Sequence, residues 1–341
     1  MESDIRRLVD WIEVPSVTGN EADYGDALKR ALEKEGLGCE KQELEEGRFN
    51  VLACAGEPEV VFCTHIDTVP PFFGSSVEGG TIRGRGSCDA KGQAVAMIAA
   101  ARRLFAEGED RIGFLFTAGE EIDSAGAALA EKRMLQDELP KGFKRPRYVI
   151  IGEPTDGQFV SAHKGIYKAN LCAHGVAGHS SQDIGPSAIH ELIRAGSNLL
   201  ESSWGEDEIV GKGTLNIGLM SGGVAPNVVA AEASAAVLLR TVEEPDVVRA
   251  RIEACLPKTV TLGESYEDYG PVRFHVPEGE ESKVVAFGTD APHMRSWGQP
   301  LLYGCGSILD AHTDHEKLET EELAVCIDRH VRTVQELLAQ S

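Results

Sequence analysis

Residues 60–70 read VVFCTHIDTVP, an apolar run that leads into His65, Asp67 and a proline turn. The run 60–63 has the composition of a short buried strand. Side chains two residues apart on a strand point to the same side, so His65 and Asp67 are expected side by side where this strand ends. Strand ends are where α/β proteins place their chemistry. A surface loop with two chance polar residues is the alternative that this stretch alone leaves open.

The first half of the chain alternates between helical and strand patterns. Helical periodicity covers 4–13 and 21–35, and GQAVAMIAAARRLFAEG (92–108) predicts a helix with a packing face of small residues. Short apolar runs, typical of buried strands, lie at 51–53, 60–63, 112–117 and within RYVIIGEP (147–154). This alternation favours an α/β fold with a mostly parallel central sheet flanked by helices.

The pattern changes between residues 163 and 268. Its order is strand, helix, strand, strand, helix, with the helices expected at 185–203 and 244–256, and this order matches a small ferredoxin-like α+β unit. The α/β pattern resumes after about residue 270 and ends in a helix over 319–340. Because 341 residues exceed what one core usually serves, we predict one domain built from 1–162 and 269–341, with 163–268 inserted into it.

The charge balance excludes several classes of protein. Acidic residues number 55 against 33 basic ones, and the formal net charge of −22 is spread along the chain. A basic footprint for nucleic acid is therefore absent, and anionic membranes would repel the chain. Solubility, for instance in a saline environment, explains the excess, and attraction of cationic substrates is the functional alternative.

Compartment signals are also informative. No apolar run approaches the length of a membrane span, and the first 16 residues, MESDIRRLVDWIEVPS, mix charges into their apolar positions. The eight cysteines are scattered singly and form no C-x-x-C pair. These features predict a cytoplasmic protein with reduced thiols, without a disulfide framework or a zinc finger.

Four further polar clusters follow predicted strands or turns. They are GRGSCDAKGQ (84–93), FTAGEEIDSAG (116–126), IIGEPTD (150–156) and LDAHTDHEKLE (309–319). Each has an ordinary alternative: Asp89 as a helix N-cap, Glu120 and Glu121 as a solvated pair opening a helix, Glu153 as a loop acid, His312 as a surface residue. Their joint position at strand ends of one sheet favours a shared site.

The composition of this set suits divalent metal ions, because imidazole and carboxylate together bind zinc, manganese or cobalt. The candidate ligands are His65, Asp89, Glu121, Glu153 and His312. With one divalent ion, the three carboxylates give the site a net negative charge. With two divalent ions, one positive charge remains, and a bridging hydroxide cancels it. The ligand count therefore favours two metal ions with Asp89 as the bridge. Asp67 is then placed to orient His65, and the remaining Glu120 is expected to be the general base.

These motifs, in this order, resemble the acetylornithine deacetylase, succinyl-diaminopimelate desuccinylase and carboxypeptidase family of co-catalytic zinc metallohydrolases, and most closely its acetylornithine and acetyl-lysine deacetylases. The matching segments span nearly the whole chain: THIDTVP (64–70), GRGSCDAKGQ (84–93), TAGEEIDSAG (117–126), IIGEPTD (150–156), GVAGHSS (175–181), GGVAPNVV (222–229), GTDAP (288–292) and GCGSILDAHTDHEKLE (304–319).

The resemblance implies a zinc-peptidase-like catalytic domain interrupted by a lid domain, often dimerised through the lid. It carries over the five candidate ligands, the base Glu120 and the histidine partner Asp67. It also implies a cis peptide bond between Asp89 and Ala90.

Three residues of the inserted domain gain roles by the same analogy. His179 resembles a histidine that helps to stabilise the oxyanion, often supplied by the partner subunit. Asn227 and Arg240 resemble residues that contact the polar groups and the carboxylate of the substrate. Turn chemistry after a proline is the alternative for Asn227, and a surface position at a strand end is the alternative for Arg240. His163 and His174 have no assigned role.

The chain departs from the family pattern in two places. Cys305 stands where the most similar deacetylases tend to have proline, and HTDHE (312–316) replaces a proline-containing version. His315 therefore competes with His312 as a ligand, and the spacing to Glu316 favours His312.

The resemblance implies metal-dependent hydrolysis of the amide bond of an N-acyl amino acid of the N-acetyl-ornithine or N-acetyl-lysine type, as in amino-acid biosynthesis. Zinc is the expected metal, with cobalt or manganese as alternatives. A dipeptidase, tripeptidase or carboxypeptidase with the same two-metal centre is the first alternative function. A non-catalytic metal-bound scaffold is the second, and the intact Glu120 argues against it.

Overall fold

The computed structural model describes residues 1–140 and 143–339. The chain forms two compact units. The first comprises Met1–Ser161, Arg273–Lys283 and the residues from Thr289 on, and the second comprises Ala162–Val272 and Val284–Gly288. The domain limits expected from the sequence, 162/163 and 268/269, lie beside these, and the assignment of the units as catalytic domain and lid stays a prediction.

The predicted helices lie close to their expected limits, and a further helix, over Ala125–Leu135, was not predicted. Residue 340, in the last predicted helix, lies outside the described residues. No helix in the described part of the chain is long and apolar enough to cross a bilayer. The α-helices are α1 (Glu2–Ile12), α2 (Ala22–Lys34), α3 (Lys91–Ala106), α4 (Ala125–Leu135), α5 (Ala188–Glu201), α6 (Pro245–Cys255) and α7 (Thr320–Ala339).

The strands are β1 (Gly38–Glu45), β2 (Arg48–Cys54), β3 (Val60–His65), β4 (Ser76–Glu78), β5 (Thr81–Arg83), β6 (Ile112–Thr117), β7 (Tyr148–Ile151), β8 (Phe159–His163), β9 (Gly165–His174), β10 (Gly178–His179), β11 (Glu206–Asp207), β12 (Gly211–Lys212), β13 (Thr214–Gly222), β14 (Val228–Val229), β15 (Glu232–Thr241), β16 (Val260–Tyr269), β17 (Val272–Arg273), β18 (Ser282–Val285), β19 (Gln299–Leu302) and β20 (Lys317–Glu319).

The first unit is built on a central sheet with the order β1-β2-β6-β3-β7-β19. The strands β6, β3, β7 and β19 run parallel, and β1 and β2 add an antiparallel edge. Every residue of β3 and β6 is buried, as expected for parallel strands that are covered on both faces. The predicted α/β fold with a mostly parallel central part is confirmed.

The helix α3 lies in the core of the first unit. It is buried from Lys91 to Ala101 and packs against α1 and α7. Its run of alanines allows close packing because each side chain is a single methyl group. This packing fixes the position of the turn that precedes α3, which contains Asp89.

The second unit has a four-stranded antiparallel sheet, β13-β15-β9-β16, with α5 and α6 packed on it. The expected ferredoxin-like order is present and is completed by β16, which the sequence analysis did not identify. The sequence of β16, VTLGESYEDY, is largely polar, and most of its residues are at least partly exposed. A strand of this kind lacks the apolar run that marks a buried strand.

Candidate metal centre

The candidate ligands of the first unit lie at the carboxyl edge of its parallel strands. His65 is the last residue of β3, while Glu121, Glu153 and His312 follow β6, β7 and β19. The remaining candidate ligand, Asp89, comes two residues before α3. Because parallel strands all end at the same edge of a sheet, segments far apart in sequence meet there.

Asp89 lies between the two histidines. Its Oδ1 is 2.9 Å from Nε2 of His65, and its Oδ2 is 3.2 Å from Nε2 of His312. Each carboxylate oxygen thus faces a different imidazole, which is the geometry that a bridging carboxylate requires.

Each histidine also has a glutamate beside it. Oε2 of Glu121 is 2.9 Å from Nε2 of His312, and Oε2 of Glu153 is 4.0 Å from Nε2 of His65. Candidate ligand atoms of His65, Asp89 and Glu121 lie within 4.8 Å of one another. The histidine–glutamate pair of His65 therefore lies next to that of His312. The site consists of two histidine–glutamate pairs that share one aspartate.

Asp67 orients the ring of His65. Nδ1 of His65 lies 2.9 Å from the main-chain oxygen of Asp67 and 3.4 Å from its Oδ1. These contacts hold the ring with Nε2 towards Asp89, as expected for a partner of a metal-binding histidine.

Asp67 also organises the loop that carries the glutamate pair. Its Oδ1 accepts hydrogen bonds from the amides of Gly119 (3.1 Å) and Glu120 (3.2 Å). Its Oδ2 accepts from the amide of Glu121 (3.2 Å) and from Oγ1 of Thr18 (2.8 Å). The sequence did not identify Thr18 or this network, because the hydrogen bonds depend on how the loop folds.

The electrostatics of the site reflect a buried excess of negative charge. Burial and neighbouring carboxylates raise the pKa of Glu120 and Glu153 well above the usual value. Hydrogen bonds with Asp89 and Glu121 raise the pKa of His312 to about 10. Burial opposes protonation of His65, but its hydrogen-bonded carboxylates outweigh this effect and raise its pKa.

These donors fit a pair of divalent cations. Within the described ranges, the ion pairs of Asp89, Glu121 and Glu153 are made with histidines and not with lysine or arginine. A buried set of three carboxylates needs positive charge to offset it, and oxygen and imidazole donors suit zinc, cobalt or manganese.

The ordinary alternatives for Asp89, Glu121 and Glu153 do not describe the structure, whereas the side chain of His312 contacts the cluster and is also 50% exposed. The N-cap of α3 is Ala90, without a side-chain cap, so Asp89 is not the cap. Glu153 is buried, and the side chain of Glu121 is 4% exposed. His315 is 62% exposed and contacts Asp314 instead of the cluster.

The turn before α3 has further support that the sequence did not assign. The peptide bond between Asp89 and Ala90 is cis, as the family resemblance implies. Gln93 donates from Nε2 to the main-chain oxygens of Cys88 (2.8 Å) and Cys305 (2.6 Å). Gln93 lies inside one of the quoted motifs, but an amide side chain at the start of a helix gives no signal of such a role.

In the second unit the structure brings His179 and Asn227 together. His179 pairs with Val228 in the β10–β14 ladder, and the amide of Ser180 donates to the main-chain oxygen of Asn227 at 3.0 Å. Arg240 lies near the far end of β15. The rise along that strand from Glu232 to Arg240 amounts to about 26 Å at about 3.3 Å per residue.

A mostly parallel α/β unit with a cluster of histidines and carboxylates at the carboxyl edge of its sheet is the arrangement expected of a metal-dependent hydrolase. The sequence model of Peptidase family M20/M25/M40 matches residues 61–336, and the chain belongs to this family.

Relatives from fungi cover nearly the whole chain. A probable carboxypeptidase of Aspergillus flavus is 36% identical over 370 aligned positions, which cover 95% of this chain and 87% of that protein. A peptidase M20 domain-containing protein of Schizosaccharomyces pombe is 35% identical over 337 positions, covering 95% of this chain and 82% of that protein.

Solved structures share the fold. The aminopeptidase PepT of Bacillus cereus superposes with a TM-score of 0.81 at 20% identity, covering 99% of this chain and 98% of that one. A dinuclear metal binding peptidase of the M20 family from Bacillus subtilis superposes with a TM-score of 0.70 at 16% identity, covering 98% and 100%. On the family match and the fungal relatives, the protein is a hydrolase of the M20 peptidase family.

Proposed function

We propose that the protein hydrolyses the amide bond of a small N-acyl amino acid of the N-acetyl-ornithine or N-acetyl-lysine type, with two divalent metal ions. The observation that carries the proposal is Asp89, whose two oxygens face different histidines, each beside its own glutamate. His65 and Glu153 would hold one ion and His312 and Glu121 the other, with zinc as the first choice and cobalt or manganese as substitutes.

The positions of the carboxylates indicate which side chains bind metal and which one acts as the general base. When bound, the two ions lower the pKa of a water molecule and polarise the amide carbonyl. Glu120 is not among the ligands, and burial raises its pKa, so its carboxylate is a stronger base than an exposed one. It accepts the proton of the attacking water and delivers it to the leaving nitrogen. His179 donates a hydrogen bond to the oxyanion.

The charges around the site favour a cationic substrate. The loops 65–75, 116–124, 152–158 and 304–316 contain no lysine or arginine. In the turn 84–93, Arg85 is buried against Glu316, and Lys91 is buried against main-chain oxygens. The free amine of an ornithine-type or lysine-type substrate is therefore attracted to these loops. Arg240 is our candidate for the substrate carboxylate, on the family resemblance.

The arrangement of the second unit supports a homodimer. Because Arg240 lies at the other end of β15 from His179 and Asn227, we propose that a second copy supplies the latter two. The strand β13 offers an edge for such pairing, since it ends the sheet β13-β15-β9-β16 and exposes Leu219 and Met220.

A peptidase is the second candidate function. The name of the Aspergillus flavus relative, a probable carboxypeptidase at 36% identity, favours it. The same metal centre hydrolyses either kind of amide, so the substrate decides between the two functions.

A substrate panel tests the proposal. The purified protein is assayed with zinc, cobalt and manganese on N-acetyl-ornithine, N-acetyl-lysine, dipeptides, tripeptides and N-blocked peptides with a free carboxylate. N-acetyl-norleucine, which lacks the amine, is the matched control for N-acetyl-lysine. We expect the highest kcat/KM on the two N-acetyl diamino acids, at least about tenfold above the control. A higher kcat/KM on a peptide supports the peptidase, and no turnover of any amide supports a non-catalytic scaffold.

A further inference from the structure

We infer that Glu316, held by Arg85, is a positioning residue for the bridging carboxylate Asp89. The inference rests on the proposed two-metal site and adds a residue that faces the main chain of Asp89 instead of the metal ions. From the sequence, Glu316 serves only as a spacing mark for His312.

The contacts of Glu316 are specific to the turn that carries Asp89. Oε1 accepts hydrogen bonds from the amides of Cys88 and Asp89, both at 3.1 Å. Oε2 accepts from Nη1 of Arg85 at 2.7 Å. Glu316 and Arg85 are fully buried, so water does not compete for these bonds. Because the guanidinium offsets the charge of Glu316, the pair adds no net charge beside the ligands.

Strand pairing explains how Glu316 reaches this turn. In the ladder between β5 and β20, Lys317 pairs with Arg83, and the amide of Gly84 donates to the main-chain oxygen of Glu316 at 3.1 Å. Residue 316 therefore lies opposite the start of the 84–90 turn, and its side chain crosses the turn to the amides at the other end.

Arg85 is itself fixed on its other side. Its Nε donates to the main-chain oxygen of Pro71 at 3.2 Å, and its guanidinium lies 5.0 Å from the ring centre of Phe73. Arg85 cannot turn away without losing both contacts, and Glu316 is held in place with it.

The contacts of Glu316 affect two candidate ligands, Asp89 and His312. Glu316 fixes the main chain of Asp89, and it lies only four residues after His312. One carboxylate therefore connects the segment that carries the bridge to the segment that carries a terminal ligand. The direction of the two oxygens of Asp89, one towards each histidine, depends on this connection.

The test is metal binding by Glu316→Gln, measured by titration of the metal-free protein with zinc and by the visible spectrum of the cobalt-loaded protein. The glutamine keeps one oxygen, and its NH₂ group faces either the amides of Cys88 and Asp89 or the guanidinium of Arg85, all of which are donors. We expect zinc affinity to fall about 10- to 100-fold and the cobalt spectrum to change. A purely structural role lowers stability and leaves the affinity and the spectrum as in the wild type.

Asp4→Asn is the matched control. Asp4 is a buried carboxylate of the same unit that pairs with Arg102 at 2.8 Å, in a part of the chain that contacts no ligand. We expect this variant to lose stability but to retain wild-type zinc affinity and cobalt spectrum.

Three results distinguish failure of the positioning role from failure of the proposed function. Wild-type affinity and spectrum in Glu316→Gln overturn the positioning role, even if its stability falls as in the control. If Glu316→Gln does not fold, Arg85→Lys decides, since it keeps the positive charge but loses the guanidinium geometry, and wild-type metal binding there overturns the role. A wild-type protein that takes up no divalent ion refutes the proposed function itself.

Discussion

Replacing Asp67 by asparagine tests the network that supports both a ligand and the proposed base. Asp67 is fully buried, and its two oxygens accept hydrogen bonds from Thr18 and from the three amides of residues 119–121. Asparagine has a similar shape but offers one acceptor oxygen and no charge. The substitution therefore removes hydrogen bonds without creating a cavity.

The size of the effect follows from these contacts. In one orientation, the oxygen of the asparagine faces the amides of Gly119 and Glu120, and its NH₂ group faces the amide of Glu121, which loses its acceptor. In the opposite orientation, the amides of Gly119 and Glu120 lose theirs. Loss of one bond to a charged group costs about 1.5–3 kcal/mol, and the other bonds weaken to the range of neutral pairs. We expect the metal-free variant to lose about 3 kcal/mol of unfolding free energy. Zinc affinity should fall about 10- to 100-fold, because the contact of Oδ1 with the His65 ring and the bond that holds the main chain of Glu121 both weaken, while the bond from His65 to the main-chain oxygen of residue 67 remains.

Urea unfolding of the metal-free protein and zinc titration measure these two effects. Asp314→Asn is the control, since this aspartate is 95% exposed and its replacement is expected to change stability by less than about 0.5 kcal/mol. An Asp67→Asn variant within about 1 kcal/mol of the wild type, with unchanged zinc affinity, would refute the reasoning that Asp67 organises the site.

Three further predictions concern single side chains. Glu120→Gln should keep its metal content and lose activity by a factor of about 10² to 10⁴, and near-normal turnover removes Glu120 from the base role. His312→Ala should lower the metal content measured by elemental analysis while His315→Ala does not, and the reverse result makes His315 the ligand. His330 is buried, and among the described residues neither of its ring nitrogens has a hydrogen-bond partner. Burial lowers its pKa to about 3, so unfolding takes up a proton below the usual pKa of about 6.5. His330→Leu should therefore lose less stability than the wild type as the pH falls from about 6.5 to about 4, by up to about 1.4 kcal/mol per pH unit, and parallel stability curves of the two proteins contradict this.

Much of the first unit could be predicted from local patterns. The strands β3, β6 and β7 consist mostly of apolar residues, a pattern that marks fully buried parallel strands. Polar clusters follow each of these strands, so the common edge of the sheet indicates where their side chains meet. The structure brings His65, Asp89 and Glu121 together there.

Other features could not be predicted, because they depend on the folded geometry of turns. The spacing to Glu316 favours His312 over His315, but only the folded loop shows that His312 contacts Asp89 while His315 contacts Asp314. The role of Glu316 likewise depends on the pairing of two short strands, β5 and β20, that are far apart in sequence. Neither strand is long enough to show a periodic pattern.

The place of β19 beside β7 has a consequence for biosynthesis. During translation, the segment that carries β19 and His312 leaves the ribosome only after the entire second unit, about 10–30 s later than Glu153 at about 5–20 residues per second. A nascent chain thus exposes an unfilled edge of β7 and lacks one of the histidines. In the proposed site, the ion held by His65 and Glu153 would therefore bind before the ion that also needs His312, so the two ions would load in the order in which their ligands are synthesised.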